Sequence, residues 1–172
     1  MRYRLDVVAP TVVEAVRAAG GWMFDRVMAG WDVRVLVADG HDERALQILG
    51  ADSGDLETAL EIGPNGQHPH AVAVAADLYG SDARIRDGLR QALDSGQTEV
   101  TLWGGTWPAD LDRRTVGLVE HRLSTAARAF KAQALAALDT PVIPAEGIGF
   151  TETFQSGTPA SHPVAADLIP AS

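Results

Sequence analysis

The chain has 172 residues, 46% of them apolar, and no cysteine, which suits one domain with a real core and excludes disulfides, thiolate metal sites and a cysteine nucleophile. Its 14 Lys and Arg stand against 23 Asp and Glu, and the formal charge of -9 repels phosphate backbones and disfavours direct nucleic-acid binding. No run approaches the ~18 apolar residues that a membrane span needs, and MRYRLDVVAP has too short an apolar run for a signal peptide, so the expected location is the cytoplasm.

Tyr3 to Ala9 reads as a first strand. Pro10 follows it, and Thr11-x-x-Glu14 has the form of a capping box, so a helix is expected there with Val12, Val13, Val16 and Ala19 inward. Gly20 and Gly21 fall in its middle. At a cost of about 2 kcal/mol relative to alanine, they either break the helix or let a neighbour approach closely. Trp22, Met23, Phe24, Val27 and Met28 crowd more than one side, as in a sandwiched helix, and Gly30 stops it. From about Asp32 to Ala38 the chain is apolar almost without a break. That is the pattern of a central strand covered on both faces, and Val35 is expected to be fully buried.

Arg44 to Leu49 and Leu56 to Ile62 read as short helical pieces, and Gly63 to Gly66 is a dense turn signal. Ala71 to Ala76 is a third strand, Ser81 begins a helix reaching about Leu93, and Glu99 to Trp103 is a fourth strand. A last helix is expected from about Leu111 to Leu138, on the stripe Leu111, Thr115, Leu118, Val119, Leu123, Ala126, Phe130, Ala134 and Leu138. Beyond Asp139, prolines and glycines punctuate a segment without Lys or Arg. Residues 139–172 are read as an extended or disordered acidic tail, dispensable for folding, on an α/β domain of residues 1–138. Strands alternating with helices predict a mostly parallel sheet of about four or five strands in a three-layer sandwich, Rossmann-like or RecA-like.

In such sheets ligands bind outside the carboxyl ends of the strands. The ligand-binding candidates are therefore Asp39, His41, Asp42, Asp77, Trp103, Thr106 and Trp107. Asp39, Asp42 and Asp77 are of the type that holds a divalent cation, but acids at strand ends also form turns, and that is the reading taken. His68-x-His70 has no third ligand nearby in sequence. No G-x-G-x-x-G and no phosphate loop occurs, and Pro10 replaces the donor such a loop would use. No cofactor, no metal and no assembled catalytic set is expected.

Arg113, Arg114 and Arg122, with Arg128 and Lys131, would give the last helix a basic face on an acidic protein. With Phe150, Phe154 and Leu168 of the tail they are the partner-binding candidates, for a protein partner or a second copy; no membrane partner is expected.

One pattern goes further. After the central strand come Asp39, Asp42-x-Arg44, Leu49-Gly50-Ala51-Asp52 and Asp55-Leu56. A small-residue strand ending in Asp77 follows, then Glu99 to Gly104. This order, over roughly residues 3 to 105, resembles the core of RecA-like ATPases, without that family's phosphate loop. The resemblance implies a degenerate, non-catalytic relative, an accessory of recombination or repair. The expected function is thus a non-enzymatic association domain. The alternative is an enzyme, or a small-molecule or nucleotide binder, working at the strand ends.

Overall fold

The computed structural model describes residues 2–63, 68–157 and 167–171, without the side chains of 112–116. In chain order the elements are β1 (Arg4–Thr11), α1 (Val12–Met28), β2 (Asp32–Asp39), α2 (Glu43–Leu49), β3 (Asp52–Asp55), α3 (Leu56–Ile62), β4 (Ala71–Ala75), α4 (Ala76–Ser81), α5 (Ala83–Ser95) and β5 (Glu99–Trp103). A 3-10 helix (Ala109–Arg114), β6 (Thr115–Arg122), α6 (Thr125–Ala136), β7 (Thr151–Gly157) and β8 (Ile169–Pro170) complete them.

Among the described residues eight strands form one mixed sheet, in the order β3-β2-β1-β4-β5-β7-β6-β8. The first five are parallel, and their order is that of doubly wound nucleotide-binding folds. The last three join antiparallel. The expectation of four or five strands is corrected to eight among the described residues. The extra ones are short, polar or bulged, and carry little apolar signal.

The near-continuous apolar strands have a direct cause. Leu5, Val7, Ala9, Val35 and Val37 enter one core with α1, α2 and α6, while Val8, Leu36, Val74 and Leu102 enter a second core with Ile85, Leu89 and Leu93 of α5. Successive side chains of a strand point to opposite faces, so a strand covered on both must be apolar throughout. Val35 is fully buried, as its sequence context predicts.

The helix α1 runs unbroken through Gly20 and Gly21, so the glycines serve close approach. A Cβ on Gly21 would lie 2.2 Å from Leu123 Cδ2. Glu152 of β7 accepts the Gly21 and Trp22 N–H groups at 2.9 and 2.7 Å, while Lys131 of α6 donates to Arg17 O and to Glu152 at 2.8 and 2.7 Å. A buried ion pair thus docks on the helix backbone where side chains are missing. Burial pushes the Glu152 carboxyl above the usual carboxylate range, against the opposing pull of Lys131.

The single last helix is corrected. Residues 109–114 form a 3-10 turn, 115–122 are β6, and only 125–136 are helical. The basic face therefore does not exist as one surface. The segment read as a tail supplies β7, which lies between β5 and β6 and buries Phe154 against Trp22, ring centroids 4.8 Å apart. No helix among the described residues is long and apolar enough to cross a membrane.

Candidate functional site

Strand order reverses between β1 and β4, and the crevice outside their carboxyl ends is where open α/β sheets bind ligands. At that end β1 finishes in Pro10 and Thr11, and Thr11 caps α1 by accepting the Glu14 N–H at 3.2 Å. Glu14 and Arg17 stand three residues apart on α1, hence on one face of it. Across from them β5 ends in Trp103, beside Ala75 of β4. The buried indole donates from Nε1 to Glu14 Oε1 at 3.3 Å, fixing where the carboxylate lies. Thr11, Val13, Glu14, Arg17, Ala18 and Trp103 line an open cleft of about 550 Å³.

Of the seven ligand-binding candidates, Trp103 lines this cleft. Asp39 pairs with Thr11 across the β1–β2 ladder, so it neighbours the site, but its carboxylate accepts the His41 N–H at 3.1 Å, and His41 has 80% of its side chain exposed. These two build a turn, in keeping with the turn reading. Asp42 adopts the left-handed conformation at φ 75 and accepts the Asp139 N–H. Asp77 lies exposed in the first turn of α4, and Thr106 is exposed in the loop after β5. Trp107 is buried in the second core and donates from Nε1 to Leu111 O at 2.6 Å, a packing role. Among the described residues no group of three or more His, Cys, Asp or Glu is placed to hold a metal ion. The donors of the cleft, one carboxylate with a threonine and an indole N–H, do not make a metal-binding set.

The partner-binding candidates do not converge either. Arg113 and Arg114 lie in the 3-10 helix, their side chains outside the described residues. Arg122 is exposed at the end of β6, where it pairs with Thr151. Phe150 lies under the Arg128 guanidinium, 3.9 Å from ring centroid to Cζ. Phe154 is core and Leu168 packs half-buried against it. Sequence reading took Glu14 only as a capping residue and passed over Arg17. What marks them out is the approach of Trp103, 89 residues away, and no local pattern carries that.

Solved structures share this fold. The crystal structure of the A40926 pseudoaglycone deacetylase Dbv21 matches at TM-score 0.59 and 17% identity, over 94% of this chain and 100% of that one. The teicoplanin deacetylase Orf2, in a zinc-inhibited form, matches at TM-score 0.55 and 14% identity, over 92% of this chain and 99% of that one. The conserved protein TT1542 from Thermus thermophilus matches at TM-score 0.59 and 17% identity, over 98% of each chain. No protein-family model matches the sequence, and none of the curated proteins does. At these identities the likeness is one of fold. It overturns the RecA-like reading, and with it the picture of a non-enzymatic association or accessory domain: the solved structures named above, alike over nearly the whole chain, are two deacetylases and the conserved protein TT1542, not RecA-like ATPases.

Proposed function

We propose that this chain is a hydrolytic enzyme that removes a small acyl group from an amide, with its active site in the cleft between α1 and the end of β5. The observation that carries the proposal is Glu14, a carboxylate held by Trp103 in a cleft at the carboxyl ends of the parallel strands. The fold shared with the A40926 pseudoaglycone deacetylase and the teicoplanin deacetylase supports the choice of reaction.

In this reading Glu14 acts as general base. It takes a proton from a water as that water's oxygen bonds to the acyl carbon, then returns the proton to the amine nitrogen as the C–N bond breaks, leaving a carboxylic acid and a free amine. The Trp103 N–H holds one carboxylate oxygen and leaves the other for the water. Thr11 accepts the Glu14 N–H with its hydroxyl oxygen, which leaves its O–H free to donate to the acyl oxygen as charge builds there. Val13 and Ala18 give the cleft an apolar wall suited to a short acyl chain. No step is assigned to a metal ion.

The test is release of free amine from a panel of N-acetylated amino sugars and amino acids. At least one should be turned over. Glu14→Gln should keep the fold, since its carbonyl oxygen still accepts from Trp103, and lower kcat by about 10²–10⁴. Absence of turnover across the panel, or a Glu14→Gln variant as fast as the parent, would sink the reading.

A further inference from the structure

Most arginines whose side chains are described are engaged. Arg2, Arg26, Arg34, Arg84 and Arg90 pair with carboxylates, and Arg86 and Arg128 donate to backbone carbonyls. Arg17 has no side-chain partner among the described residues, and it lines the cleft. Arg44 and Arg122 share the lack of a partner but do not line it. The vacancy at Arg17 is not for want of an acid. Glu14 is one helical turn away on the same face, at about 5–6 Å between Cβ atoms, yet the two side chains form no ion pair, and one Glu14 oxygen is turned to the Trp103 N–H instead. An exposed guanidinium with all five donors unspent, on the wall of a cleft in a chain of charge -9, is placed to receive an anion from outside.

We propose that the cleft selects substrates carrying an anionic group, carboxylate or phosphate, which Arg17 holds while the acyl group faces Glu14. This rests on the hydrolytic reading above and names the substrate class of the same site. The planar guanidinium fork matches both anions through two parallel N–H···O bonds, so carboxylate and phosphate are the same chemistry to it.

Three probes of one skeleton separate the cases: N-acetylglucosamine, which is neutral; N-acetylmuramic acid, a carboxylate; and N-acetylglucosamine 6-phosphate. Deacetylation rates and calorimetric affinities are measured for the wild type, Arg17→Gln and Arg17→Lys. The wild type should favour at least one anionic probe over the neutral one by about tenfold, and raising the salt should shrink that ratio. In Arg17→Gln the ratio should fall towards one, and Arg17→Lys should restore part of it for phosphate, where a point charge suffices. A wild type that treats neutral and anionic probes alike, or an Arg17→Gln ratio equal to the parent's, overturns the Arg17 proposal while turnover itself upholds the hydrolytic reading. Arg17-dependent binding of an anionic probe without turnover does the reverse. If no probe binds, both fall.

Discussion

At the residue scale the two adjacent glycines of α1 make opposite demands. Alanine is the better helix former by about 1 kcal/mol at either position. At Gly20 a new Cβ meets Val16, Leu49 and Lys131 at 3.3–3.5 Å, which is ordinary to tight contact, so Gly20→Ala should be neutral or mildly stabilising. At Gly21 it falls 2.2–2.3 Å from Leu123 Cδ2 and Cγ, so the whole buried leucine must move, and Gly21→Ala should lose about 1–3 kcal/mol net. Urea unfolding of both variants checks the difference in sign. A second residue-scale expectation concerns pH. Arg26 is buried between the Trp22 and Trp31 rings and donates to both carboxylate oxygens of Asp167 at 2.9 Å. Burial pushes the Asp167 carboxyl up, but the Arg26 bonds and charge, with Trp22 and His121, outweigh it and leave it below the ordinary 3.8. A carboxyl with a lowered folded pKa contributes stability that is present above the ordinary value and is lost as pH falls through the folded one. Glu99 faces the same guanidinium and is raised, by burial first, so its contribution has the opposite sign. Asp167→Asn should therefore cost about 1.5–3 kcal/mol near neutrality, and the gap to the wild type should close as pH falls below 3.8. Thermal melts from pH 6 to pH 3 read it, and a gap independent of pH would show that the bond does not depend on the charge.

At the element scale β2 carries the sheet, and its Val35 has no exposure. Val35→Asp would bury an unpaired carboxylate at a cost of several kcal/mol, against a total stability of ~5–15 kcal/mol, and should give insoluble or unfolded protein. Four of the five parallel strands, with α1, α2, α3 and α5, were legible because each followed a period that one kind of burial imposes; β3, at Asp-Ser-Gly-Asp, is too short and polar to show one, and the single turn and a half of α4 is too short as well. β6 was misread because its residues satisfy two periods at once. Leu111, Thr115, Leu118, Val119 and Leu123 fit a helix, yet the burial alternates, with Val119, His121 and Leu123 inward and Leu118 and Arg122 outward. A buried histidine, bonded to Asp25 Oδ2 at 2.7 Å, hides the alternation from any count of apolar residues. The same holds for β7, whose inward residues are Glu152 and Phe154. Both errors share one physical cause: a polar residue satisfied by a distant partner reads as exposed until the partner is known. The cleft was half legible, through the strand ends and Trp103, and Glu14 was seen only in its local role. Removing everything after Asp139 takes away β7, Glu152 and the cover over Trp22, and leaves Lys131 buried without its carboxylate. Such a chain should show no cooperative melt, by circular dichroism.

At the scale of the whole molecule the sheet's outer strands are short and poorly suited to pairing. β3 is the polar Asp52–Asp55, and β8 is two residues ending in Pro170, which has no N–H to offer a neighbour. Inside, the order of strands departs from the order of synthesis. β6 is joined to β5 only through β7, so it leaves the ribosome before the strand that connects it to the sheet exists. Everything from Leu123 to Gly157 must be translated first, a wait of seconds at roughly 5–20 residues per second. Through that interval a nascent chain carries its parallel strands without the cover that β7 supplies, and an unattached stretch around Val119 and His121. A ribosome-stalled chain from which everything up to Asp139 has emerged should be cut there by protease, and one from which Gly157 has emerged as well should resist. Protection already present in the shorter chain would mean that β6 finds the sheet by another route.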